Sequence, residues 1–127
     1  MELRLIRQHR SAEEEHNLHV VLDTDAPFIH IGDFSPGPWF GFDGIVTLAL
    51  TETTLYVSRR SSFSDGFTKK QAIPVAELES VTFERMAQKI AVRGRVKVRG
   101  SRPRLFSSKY QEAEDLLRHL QSITDAQ

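Results

Sequence analysis

The sequence predicts a mainly β, α+β domain: about seven antiparallel strands followed by a C-terminal amphipathic helix. Two observations carry this. From Pro27 to Ser108, short β-prone runs with alternating apolar residues are separated by breaks rich in glycine, proline and serine. After them, Tyr110, Ala113, Leu116, Leu117, Leu120 and Ile123 recur at helical spacing and form one apolar stripe.

The individual elements follow in order. Ser11 with Glu14 has capping-box spacing, which would start a helix over roughly 12–22. LHVVL reads equally as a strand, and ELRLIR before it as a short edge strand. Residues 1–26 are therefore an N-terminal extension, helix or strand arm, ahead of a domain at 27–127. Asp23 and Asp25 suit a turn. FIHIGD is a short strand, and SPGPWFGFDG a loop. GIVTLALT puts Val46, Leu48 and Leu50 on one side, and TLYVSRR follows closely enough for a tight hairpin. RRSSFSDG is a turn in which Asp65-Gly66 supplies the positive-φ position.

FTKKQAIPV is the next strand and stops at Pro74, which cannot donate to a ladder. LESVTFER turns Val81 and Phe83 inward. In KIAVRGRVKVRG, Ile90, Val92, Val96 and Val98 share one face and the cations the other. Either one long strand bent at Gly94 or a tight turn at Arg93-Gly94-Arg95 satisfies this pattern, the bent strand being the preferred reading. RLFSS is the last strand. Ser108 with Gln111 is a second capping-box spacing, the helix after it runs about four turns, and Glu114 with Arg118 makes an i,i+4 pair.

A chain of 127 residues, 39% hydrophobic and 27% charged, is one globular domain with a core of its own. Cysteine is absent, which excludes disulfides, thiolate metal sites and a cysteine nucleophile and fits a reducing compartment. No apolar run approaches the roughly 20 residues of a membrane span, and the first residues lack a signal-peptide layout. A soluble cytoplasmic protein is expected, with peripheral membrane contact as a variant.

Net charge is zero but sorted. The first 44 residues hold eight acids and three bases, 85–109 hold nine bases and no acid, and 111–127 hold four acids and one base. Such a dipolar surface suits an anionic partner or head-to-tail self-association.

GIVTLALTETTLYVSRR, IPVAELESV and RLFSSKYQEAEDLLRHL resemble, in this order, the hairpin, the proline step and the closing strand-and-helix of bacterial pleckstrin-homology and GRAM-type domains. The resemblance covers about 27–123 and implies a pleckstrin-homology-like barrel capped by the final helix. Two features depart from it. No tryptophan lies between Lys109 and Gln127, and the loop FSPGPWFGFDG carries no lysine or arginine and is flanked by Asp33 and Asp43. The resemblance thus implies the fold more strongly than inositol-lipid binding.

Three groups are candidate contact sites. Arg93, Arg95, Lys97 and Arg99, extended by Arg102 and Arg104, form a row that is either a solvated face or an anion- or partner-binding surface. Arg59, Arg60, Lys69 and Lys70 flank a hairpin turn and are either its polar ends or an anion pocket. Trp39, Phe40 and Phe42 either make an exposed contact patch or plug the mouth of the barrel. Glu13, His16 and His19 have a spacing that suits a helix face, but nothing fixes further ligands, so no metal and no cofactor are expected.

No phosphate loop, nucleophile elbow or zincin motif is present. A noncatalytic binding or assembly module follows, its partner a protein, another copy of itself or acidic lipid. Single-stranded nucleic acid is the alternative, weakened because no aromatic is interleaved with the cations before Phe106. A small hydrolase or isomerase built from dispersed histidines would need a pocket lined by histidine and carboxylate.

Overall fold

The computed structural model describes residues 4–36, 44–61 and 67–127, with the backbone alone for 36, 60, 61 and 67–70. Its strands are β1 (His30–Pro36), β2 (Gly44–Leu50), β3 (Thr54–Ser61), β4 (Phe67–Pro74), β5 (Leu78–Met86), β6 (Ala91–Val98) and β7 (Arg104–Ser108). Two helices, α1 (Ala12–Leu22) and α2 (Gln111–Asp125), flank them in sequence. The domain is mainly β and α+β, with one seven-stranded antiparallel sheet in the order β4-β3-β2-β1-β7-β6-β5.

β1 joins the two halves of the sheet. Its first part pairs with β2 (His30↔Leu50 to Phe34↔Val46), and its end pairs with β7 (Ser35↔Ser107, Pro36↔Phe106). One core therefore collects Val46, Leu48, Leu50, Leu55 and Ile73 from one half and Val81, Val92, Val96 and Phe106 from the other. The period-2 alternation places these side chains on the same face. The β2–β3 link is tight, with Thr51 N–H donating to the Thr54 carbonyl at 2.9 Å and Thr54 N–H to Thr51 Oγ1 at 3.1 Å.

α2 covers this core with Ala113, Leu116, Leu117 and Leu120, all fully buried. Two glycines set its height. A Cβ on Gly32 would stand 2.9 Å from Ala113 Cα, and one on Gly94 would stand 2.7 Å from the Leu117 methyl carbons. Gly94 thus makes room for the helix within a single strand. Glu114 also faces the sheet, where Arg85 Nε and Nη2 donate to it at 2.6 and 2.9 Å and Arg118 Nη2 at 2.9 Å.

At the N-terminus the capping-box reading holds. Ser11 Oγ accepts from Glu14 N–H at 3.1 Å, and Asp23 closes α1 in the left-handed region at φ 54°. Of ELRLIR, the described residues 4–7 make an isolated bridge at Ile6 rather than a strand, and LHVVL is helical. α1 buries Leu18 and Leu22 against Ala49, Phe28, Ile31 and Tyr56, on the sheet face opposite the main core. Residues 4–10 run beside the β7–α2 junction: Ile6 N–H donates to the Lys109 carbonyl and Gln111 N–H to the Ile6 carbonyl, both at 2.8 Å. Leu5 enters the main core.

Two sequence readings are corrected. Ile90 does not share the face of the valines, because a 3-10 turn at Ala87–Lys89 precedes β6. Ile90 ends that turn at φ 48° and is 38% exposed. Ser108 does not cap α2. Tyr110 is the N-cap, while Ser108 Oγ donates to the Asp33 carbonyl at 2.7 Å and accepts from Tyr110 N–H at 3.1 Å.

Candidate anion-binding site

Antiparallel pairing gathers the ends of β1, β3 and β6 and the starts of β2, β4 and β7 on one side of the sheet. Cations from both expected clusters meet there. Arg104 pairs with Val96, which is 3% exposed, so it faces the core side of β7. This departs from its expected place in the outward row. β7 itself carried the signal: Arg104, Phe106 and Ser108 alternate with Leu105 and Ser107, and a core Phe106 turns Arg104 inward too.

Arg104 reaches across the sheet end to β4, where its Nη1 donates to Gln71 Oε1 at 3.0 Å. Burial, and then the neighbouring Arg59, hold its pKa below the ordinary arginine value. A half-buried guanidinium whose partner is a neutral amide and whose charged neighbour is another guanidinium is a favourable place for an anion. Lys69 pairs with Arg59, Lys70 with Ser58 and Arg60 with Phe67, with a bulge between Arg59 and Arg60.

Arg99 and Arg102 lie exposed in the β6–β7 link, whose turn is set by Gly100 at φ 77° and by Ser101 N–H donating to the Val98 carbonyl at 3.0 Å. Among the described residues, no hydrogen bond or ion pair reaches the side chain of Arg95, Arg99 or Arg102. Trp39, Phe40 and Phe42 lie outside the described residues.

The outward face of β6 carries Arg93, Arg95 and Lys97, each opposite a residue of β5. Two of the three are neutralised locally: Arg93 Nη2 pairs with Glu84 at 3.0 Å and Lys97 Nζ with Glu79 at 2.5 Å. Exposed pairs of this kind add about 0.2–1 kcal/mol each. Among the described residues, the row thus holds two exposed ion pairs with an unpaired Arg95 between them. Phe106 is in the core, edge-on to Phe34 at 5.8 Å, and offers no stacking surface beside these cations.

Asp33, which flanks the first loop, is taken up internally. Arg10 Nη2 lies 3.0 Å from its carboxylate, and Gln8 Nε2 and Thr47 Oγ1 each donate to it at 2.7 Å. His16, His19, Asp23 and Asp25 line a surface depression at the end of α1. There the His19 ring stacks on Phe28 at 4.0 Å and its Nδ1 lies 2.9 Å from the Thr24 carbonyl. Among the described residues, no three or more histidines and carboxylates are grouped to hold a metal ion.

Fold and site together define a small mainly β domain, seven antiparallel strands and a C-terminal helix, with cations concentrated at one end of the sheet. Among solved structures it is similar to the hSac2 domain from human phosphoinositide phosphatase Sac2. The likeness covers 93% of this chain and 85% of that one, with 16% sequence identity and a TM-score of 0.58. At that identity the likeness is one of fold. No protein-family model matches the chain, and no curated protein matches it in sequence. Among the described residues, no helix is long and apolar enough to cross a membrane.

Proposed function

We propose that this chain is a noncatalytic binding module with a pleckstrin-homology-like fold, docking on anionic, phosphate-bearing lipid headgroups through the cationic end of its sheet. The observation that carries the reading is Arg104, drawn into the core side of β7 beside Arg59, with Gln71 as its only hydrogen-bond partner among the described residues. Exposed Arg99 and Arg102 continue the positive field outward from it. The order of seven strands and a closing helix supports the fold, and a similar structure that comes from a phosphoinositide phosphatase accords with the ligand class.

The test is co-sedimentation with neutral and anionic vesicles. Each basic group near an anionic surface contributes about 1 kcal/mol, so reversing Arg99, Arg102 and Arg104 to glutamate is expected to weaken binding by at least about a hundredfold. Reversing Arg95 and Lys97 on the outward face is expected to have a smaller effect. Equal sedimentation with neutral vesicles, or equal binding by the Arg99/Arg102/Arg104 variant, refutes the reading.

A second reading is self-association by strand pairing, favoured by the edges that β4 and β5 present in the sheet order. Light scattering that returns a monomer mass at high concentration removes it.

A further inference from the structure

On the outer face, where β1 leaves β2 for β7, lies a groove of about 540 Å³, inside the roughly 300–1,000 Å³ of small-molecule sites. Its polar wall comes from three elements. Ser35 and Ser107 stand opposite each other across the β1–β7 pair, Lys109 follows β7, and Gln8 enters from the N-terminal arm. Ile45, Ala91 and Tyr110 supply the apolar wall, and Ile45 keeps 36% of its surface exposed.

These polar groups are not used up by the fold. Lys109 makes no ion pair among the described residues, its Nζ lying 5.5 Å from the centre of the Tyr110 ring. The Ser35 and Ser107 hydroxyls have no hydrogen-bond partner among the described residues. Gln8 Nε2 is spent on Asp33, and its Oε1 is buried without a donor. The groove's own carboxylate, Asp33, is already neutralised by Arg10 at 3.0 Å. Among the described residues, one cation without an ion pair and two hydroxyl donors thus stand around an apolar wall, while the Gln8 carbonyl is closed to solvent.

We infer that this groove binds an apolar carboxylate, either as a small molecule or as the C-terminal residue of a peptide. The carboxylate meets Lys109 and the serine hydroxyls, and the apolar side chain lies on Ile45, Ala91 and Tyr110. The cation and both hydroxyls gain partners from such a ligand at once. The site adjoins the opposite end of β7 from Arg104, so its test is independent of lipid binding.

The experiment is an amide NMR titration of the full chain with N-acetyl-L-leucine, with N-acetyl-L-leucinamide and with an acetylated tetrapeptide ending in leucine as the free acid. N-acetyl-L-leucine is expected to shift the amides of Ile45, Ala91, Ser107 and Lys109. The uncharged leucinamide, and the Lys109→Met variant with the acid, are each expected to bind about tenfold more weakly, the effect of losing one charge-assisted hydrogen bond. Lys109 is exposed, and the ligand-free spectrum of the variant confirms its fold. Binding by the tetrapeptide at the same residues assigns a chain end, and binding by N-acetyl-L-leucine alone assigns a small molecule. Absence of shifts with both acids, or binding unchanged by Lys109→Met or by the leucinamide, overturns the inference.

Discussion

Arg85 holds Glu114 with two hydrogen bonds, of 2.6 and 2.9 Å, across the contact between β5 and α2. The Glu114 side chain is 1% exposed, whereas Arg85 keeps 54% of its surface in water. The arginine thus acts as a cover that leaves its own stem and edge hydrated. Arg118, one helical turn on, closes the other side at 2.9 Å and lies over Phe83.

Removing one partner of a buried ion pair costs about 3–5 kcal/mol, and the half-exposed arginines place this site at or below the low end. Arg85→Met is therefore expected to lower stability by about 2–3 kcal/mol in urea unfolding. The double variant Arg85→Met/Glu114→Leu is expected to recover most of that loss, since an apolar pair no longer strands a buried charge. A double variant as unstable as the single one would show that Arg85 acts through packing alone.

Acidification is expected to destabilise the domain in two separate windows. Burial, then His119, lower the pKa of His30 from its ordinary 6.5, with Asp115 opposing them. The unfolded chain then protonates His30 first, so stability is complete above about pH 6.5 and falls as pH drops toward the folded-state value. Glu114 has its pKa lowered from 4.5, chiefly by the hydrogen bond from Arg85 and against the opposing effect of burial. Its contribution is full above about pH 4.5 and is lost as pH falls below that. Thermal melts between pH 8 and 3 on wild type and His30→Asn separate the two. The variant is expected to flatten the upper window only.

Gly32→Ala is expected to be among the most damaging single methyl additions. The new Cβ would meet Ala113 Cα, a backbone atom of a fully buried helix residue, so the helix itself must move. Overpacking of this kind costs about 1–3 kcal/mol, here toward the upper end. Gly94→Ala meets the Leu117 side chain instead and is expected to cost less. Equal melting temperatures for Gly32→Ala and wild type would contradict the packing described.

Arg10→Ala is expected to weaken the hold of the N-terminal arm. Asp33, 12% exposed at its side chain, would keep, among the described residues, the neutral donors Gln8 and Thr47. A loss of about 2 kcal/mol is expected, below the range for a fully buried pair because Arg10 is itself partly hydrated. Hydrogen exchange at Ile6 and Gln111, whose amides form the arm's backbone bonds, is expected to quicken in step.

Much of the architecture was legible from short-range pattern. Val46, Leu48 and Leu50 revealed their shared face by alternation, and Ser11 with Glu14 revealed a helix start by spacing, because both signals depend on a few neighbouring residues. Ile90 failed because a 3-10 turn broke the alternation one residue before β6 began, and no apolar pattern records that. Ser108 failed because its hydroxyl bonded Asp33, 75 residues away. The cations were visible in part: the sequence showed where they lie along the chain, but the two clusters were read as separate surfaces, and only the fold brings Arg104 beside Arg59.

The sequence by itself determined the order of the seven strands and the C-terminal helix, the core valines and leucines of most strands and the segregation of charge along the chain. Those properties repeat at periods of two and 3.6 residues and need no knowledge of the partner strand. Only the tertiary structure decided that Arg93 and Lys97 are neutralised, that Arg104 joins Arg59, and that Glu114 is buried under Arg85. Whether a charge is paired, buried or free depends on register and on which strands lie side by side. Those are long-range facts, and a one-residue shift in pairing would reverse them.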